Sequence, residues 1–131
     1  MGVKRVGFLA ALAMMLTTST AWAIEGAPAS FTLTARGSVT QGVTVKPVMK
    51  KRRIIGLVVF RQPQHAEVGT VPLGSHSGRP SIHWNLKVDG KVLSSGSYVI
   101  SLRVFANGKP TKIPAPRPRK LTISGQYVHV G

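Results

Sequence analysis

The segment Ile82–Ala106 reads IHWNLKVDGKVLSSGSYVISLRVFA. Ile82, Trp84, Leu86 and Val88 alternate with His83, Asn85 and Lys87. A period of two predicts a strand with one apolar face. Asp89-Gly90 predicts a tight turn, because glycine reaches positive φ without a Cβ clash. Ser94-Ser95-Gly96 predicts a second turn, and Tyr98, Ile100, Leu102 and Val104 then alternate again. Asn107-Gly108 ends that run with another turn pair. Two long strands around a short excursion are the best-specified part of the chain.

Trp84 and Tyr98 are the expected anchors, since an aromatic side chain buries roughly 150–250 Å². Core packing explains both more simply than ligand stacking. The spacing Gly96-x-Tyr98 is similar to the tyrosine corner of immunoglobulin-like sandwiches, in which a tyrosine near a strand start bonds to backbone upstream.

The stretch Trp84–Tyr98 resembles the bacterial immunoglobulin/fibronectin-type-III-like domain, the kind carried by flagellar hook-capping proteins and by many secreted proteins. Trp84, Asn85, Gly90, Leu93, Gly96 and Tyr98 follow that family's order of Trp, Asp or Asn, Gly, Leu or Val, and Gly-x-Tyr. Leu86 stands where the family often has Gly. The resemblance implies an antiparallel β-sandwich with Trp84, Asp89, Gly90, Gly96 and Tyr98 as structural anchors. It implies no activity, because such folds host many functions.

The chain begins with a pattern of its own. Lys4 and Arg5 precede an apolar run, Val6–Leu16, that is too short to span a bilayer, and Ala21-Trp22-Ala23 fits small-x-small cleavage. We therefore expect residues 1–23 to be a cleaved signal peptide and residues 24–131 to be the domain. Removing 23 of 131 residues leaves 108, a single-domain length. The expected location is secreted or cell-envelope, extracellular or periplasmic, and no later apolar run is long enough for a membrane-spanning helix. With no cysteine, the domain must hold by burial alone. Ile100 takes the place of the second cysteine of antibody domains.

The remaining expectations follow in chain order. Residues Ile24–Ser30 make an irregular start, and Phe31–Ala35 a first strand. Val39–Val48 reads as a weaker strand whose end Pro47 demotes. Lys50-Lys51-Arg52-Arg53 reads as a solvated loop or strand entry, because four unpaired cations cannot be buried. Ile54–Phe60 is nearly continuous apolar, which predicts a strand covered on both faces. Arg61–Pro80 reads as a long irregular segment with a short strand near Val68–Leu73. Four prolines between Lys109 and Lys120 predict an extended path. Leu121 and Ile123, then Tyr127–Val130, end the chain in β structure. The fold expected is all-β: an immunoglobulin-like antiparallel sandwich of about seven strands.

Eighteen Lys and Arg less Lys4 and Arg5 leave 16, against Glu25, Glu67 and Asp89, for a net charge of +13. Such a field favours polyanionic neighbours. The cations gather in two runs, and the candidate polyanion-binding residues are Lys50, Lys51, Arg52, Arg53, Lys109, Lys112, Arg117, Arg119 and Lys120. An ordinary basic surface explains the same composition equally well. The expected partners are anionic envelope polymers or another surface protein. No helix-turn-helix, zinc finger or RNP-like aromatic pattern accompanies the runs, so sequence-specific nucleic-acid recognition is not expected.

The chemistry of catalysis is thinly supplied. Asp89 is explained by its turn and Glu25 lies in the irregular start. His65-x-Glu67 lacks the cysteine pair of a zinc deaminase. His76 and His83 with Glu67 would be the only zinc set to consider. Ser75 beside His76 has no acid partner and no nucleophile elbow. We expect no catalytic residue, no cofactor and no metal. The function expected is a non-enzymatic structural or adhesive module of the bacterial surface or secretome. The alternative is a basic envelope protein that binds teichoic acid, lipopolysaccharide or extracellular DNA. A metal-dependent hydrolase is a distant third.

Overall fold

One strand builds both sheets. In the computed structural model, which describes residues 27–131 apart from Pro114, β2 runs unbroken over Val43–Arg61. Its first part pairs with β1 (Ser30–Ala35) on one edge and with β4 (Ile82–Trp84) on the other. Its second part pairs with β3 (Ala66–Gly78) and β7 (Gly96–Ala106). β5 (Lys87–Val88) and β6 (Lys91–Val92) form a separate small hairpin. The larger sheet continues from β7 to β9 (Arg119–Ser124) and β10 (Tyr127–Val130), while β8 (Lys109–Pro110) pairs with the far end of β7. All pairings are antiparallel.

The sheets curl into a near-barrel rather than lying as two free layers. An isolated bridge joins Ser38 to Tyr127, Val39 N–H donates to the Gln126 carbonyl, and Val128 N–H donates to the Gly37 carbonyl. At the other end of the same seam, Arg119 Nε donates to the Phe31 carbonyl at 2.8 Å. The ring therefore closes from β2 through β7, β9, β10 and β1 back to β2. All-β architecture holds, with ten strands among the described residues instead of about seven. The expected signal peptide and its cleavage point lie outside the described residues.

Three local expectations are corrected. The sequence predicts two strands over Val39–Phe60, with the four cations between them as a solvated loop or strand entry. Here Val39–Gln41 is a single 3-10 turn, and β2 passes straight through Pro47 and the four cations. Pro47 is fully buried opposite Phe31. The Val48 carbonyl accepts from Ala29 on the β1 side, so Pro47 faces the other edge, where β4 pairing begins only at Val45. No ladder donor is missed there. The irregular segment expected over Arg61–Pro80 is mostly the 13-residue strand β3. Pro72 and its glycines are tolerated because β3 is an outer strand with register shifts at Ile55/Gly56 and Val59/Phe60. The strand expected over Ile82–Val88 breaks after Trp84, because Leu86 takes φ +64°.

The core fills the barrel. Phe31, Val45, Ile55, Leu57, Val59, Tyr98, Ile100, Leu102 and Leu121 alternate inward from their strands and exclude solvent, and Leu86 joins them from the bend after β4. This is the period of two acting on every strand at once. Outside the barrel, Phe105 lies across Gly56, where an added Cβ would sit 2.8 Å from its ring. The larger sheet therefore also buries Val58 and Phe105 on its outer face, as continuous apolar strands require.

Candidate anion-binding end of the barrel

The cations gather where β2 bends. Met49 faces Gly78 and Arg53 faces His76, so four steps along β2 match only two along β3. A bulge of this kind leaves residues unpaired and bends the strand. Lys50, Lys51 and Arg52 occupy it and are exposed. On the opposite edge, β1 stops at Val48 and β7 begins only at Ile55. The charged run is thus the apex of a bent strand, held open because the neighbouring strands part there. Charge and corner agree: four consecutive cations suit a place where the backbone is open to solvent on the edge that β1 and β7 leave uncovered.

Antiparallel pairing puts the second run at the same end. β1 starts there, β3 and β7 finish there, and β2 bends there, while β9 begins opposite Ile100 and is tied to the start of β1 by the Arg119–Phe31 bond. The β2–β7 pairing ends at Ile55 and Val104, two residues short of Arg53 on β2 and of Ala106 on β7, and Ala106 pairs with Lys109. Lys109 and Lys112 are exposed beside the β7–β8 turn, and Arg117 and Lys120 are exposed around the start of β9. Arg119 is half-buried and spends its Nε on the Phe31 carbonyl, so it secures the seam as well as carrying charge. Arg52 is held by the Ser75 carbonyl at 3.3 Å and by Ser77 Oγ at 3.3 Å. Arg53 is half-buried beside His76. Arg79, just after β3, joins the end, and nothing in its sequence surroundings pointed to it.

The acidic side chains among the described residues are elsewhere. Glu67 pairs opposite Phe60 at the start of β3, and Asp89 sits in the β5–β6 turn beside Gly69. From Glu67 to His76 is nine residues of strand, about 30 Å.

The opposite end carries the predicted anchors. Trp84 is buried and its Nε1 donates to the Lys87 carbonyl at 3.0 Å. Asn85 Oδ1 accepts from Lys87 N–H at 3.1 Å, and Leu93 N–H donates to the Leu86 carbonyl at 2.9 Å. Asp89 and Gly90 both have positive φ, as a type I′ turn requires. The buried Tyr98 hydroxyl donates to the Ser94 carbonyl at 2.6 Å. Arg61, at the end of β2, donates to Tyr98 Oη at 2.7 Å, Ser94 Oγ at 2.9 Å and the Ser95 carbonyl at 2.9 Å. Sequence reading missed Arg61; its only signal was a cation closing an apolar strand. Arg61 and Tyr98 also line an open cleft of about 610 Å³ with Val68, Val88 and Val92.

Three of the histidines serve locally. His65 stacks on Phe60 with centroids 4.2 Å apart, His76 Nε2 meets the Leu73 carbonyl, and His83 Nε2 meets the Gln41 carbonyl. Among the described residues no three of His, Asp and Glu gather in one place. Comparison with protein-family models, with curated proteins and with solved structures finds no match to this chain.

Proposed function

We propose that this chain is an exported, non-enzymatic module of the immunoglobulin-like class, with a structural or adhesive role at the bacterial cell surface or in the secretome. The observation that carries the reading is the backbone at Leu86. The resembled family often has glycine at this position, and Leu86 takes the left-handed φ of +64° that favours glycine. The hydrogen bond from Tyr98 to the Ser94 carbonyl, four residues upstream, supports the same reading, because it has the form of a tyrosine corner. Export rests on Lys4, Arg5, the apolar run Val6–Leu16 and Ala21-Trp22-Ala23.

Expression of the whole chain in a bacterial host, followed by fractionation and intact-mass measurement, tests this. The expected product begins at Ile24 and lies in the periplasm, the medium or the envelope fraction. A soluble cytoplasmic chain that retains Met1 would overturn it.

A further inference from the structure

We infer that the bend of β2 is the centre of a binding surface for a flexible, base-free phosphodiester polymer of the poly(glycerol phosphate) kind. The surface does not depend on the immunoglobulin-like identity; only the choice of an envelope polymer over nucleic acid as its natural source rests on the export reading. Strand order brings two runs distant in sequence to the same end, with Lys50 and Lys51 on the bulge and Lys109 on the β7–β8 turn. Along β3, Glu67 lies about 30 Å from His76, and Asp89, beside Gly69, about 23 Å from it, two to three Debye lengths at 0.1 M salt. They do not neutralise this end, so its field falls on whatever anion approaches.

The arrangement reads phosphate and not bases. Phe31 and Phe105, the described aromatics nearest this end, are buried. Phe60 and Tyr98 belong to the other end of the β2–β7 pairing, and Tyr127 to the β9–β10 turn. Base stacking on aromatic faces is what holds single-stranded nucleic acids beyond their charge, and no such platform is presented here among the described residues. The strand pair at the tip, β7 with β8, overlaps by only two residues, too short a ribbon to follow a duplex groove. Arg52 is already fixed by Ser75 and Ser77, so a phosphate meets a cation held in place. A flexible chain can wrap the bend and reach both runs.

The test measures binding of the whole chain, as the host processes it, to poly(glycerol phosphate) and to oligo(dT) matched in number of phosphates, over a range of salt. For the native protein, affinity for both should fall steeply with salt, and oligo(dT) should bind no more than about threefold tighter. Changing Lys50→Gln, Lys51→Gln and Lys109→Gln together should weaken poly(glycerol phosphate) at least about tenfold and flatten the log–log salt slope by about 2, at roughly 0.7 per lost single-strand contact. Arg36→Gln, Lys87→Gln and Lys91→Gln, which remove equal charge at the other end, should leave affinity within about threefold. Equal losses in the two variants, or none in the first, would overturn the site. Tighter binding of oligo(dT) than stated would overturn the polymer class, and that arm needs no variant to fold. An export failure would show only in the mature mass and fractionation, leaving these affinities unchanged.

Discussion

Arg61 Nη1 donates to the Tyr98 hydroxyl at 2.7 Å, and that hydroxyl donates to the Ser94 carbonyl at 2.6 Å. The two residues face each other across the β2–β7 pair. The end of the bent strand is thereby tied to the turn that launches β7. Burial makes the tie matter, since Tyr98 is almost wholly excluded from water.

Tyr98→Phe should lower stability by about 1 kcal/mol, the net value of a hydrogen bond of this kind. Arg61→Leu should cost more, because it also frees Ser94 and the Ser95 carbonyl. The double variant should cost less than the sum, with a coupling of about 1 kcal/mol in denaturant unfolding. Strict additivity would show that the contact contributes nothing.

Trp84→Ala should cost about 3–5 kcal/mol, because a buried aromatic leaves a large cavity. Trp84→Phe should retain most of the packing and lose about 1 kcal/mol with the bond to the Lys87 carbonyl. An unchanged unfolding midpoint for Trp84→Ala would place this ring outside the core.

Leu86 is fully buried yet left-handed. Leu86→Ala should cost about 2–5 kcal/mol. Leu86→Gly should cost no more than that. At an ordinary strand position glycine is worse than alanine by about 0.5–1 kcal/mol, but the left-handed backbone penalises alanine by about 1–2 kcal/mol. Thermal unfolding of the pair checks it; a clear excess loss for glycine would contradict the conformation.

Gly96→Ala should destabilise by about 1–3 kcal/mol. Its φ is +153°, and an added Cβ would stand 2.8 Å from Arg61 Nη2. In the Arg61→Leu background the same change should cost measurably less, because the obstructing guanidinium is gone. An identical cost in both backgrounds would assign the penalty to the backbone alone.

Local chemistry made much of this fold legible. Asp89-Gly90 and Asn107-Gly108 turn as their residue types demand, with positive φ at all four positions. Phe31, Leu33, Tyr98, Ile100, Leu102, Leu121 and Ile123 point inward as their alternation requires. Other elements were not legible. Four adjacent cations read locally as a solvated loop or a strand entry, yet they lie within one continuous strand because β3 supplies the partner across a bulge. Glycine and proline hide β3, because their cost is tolerable only on an outer strand with shifted register. Leu86 breaks its strand because a buried side chain offsets the left-handed backbone, and burial is not a local property.

For the candidate site, the sequence by itself determined that the chain is strongly basic and that its cations come in two runs. Side-chain charge is written residue by residue, and solvation keeps such runs at the surface wherever they fall. Only the tertiary structure decided that the runs share one end. That follows from the bend of β2 and from the antiparallel order in which β7, β8 and β9 return to it. Position in space depends on pairing between strands far apart in the chain, and no periodicity within either run encodes it.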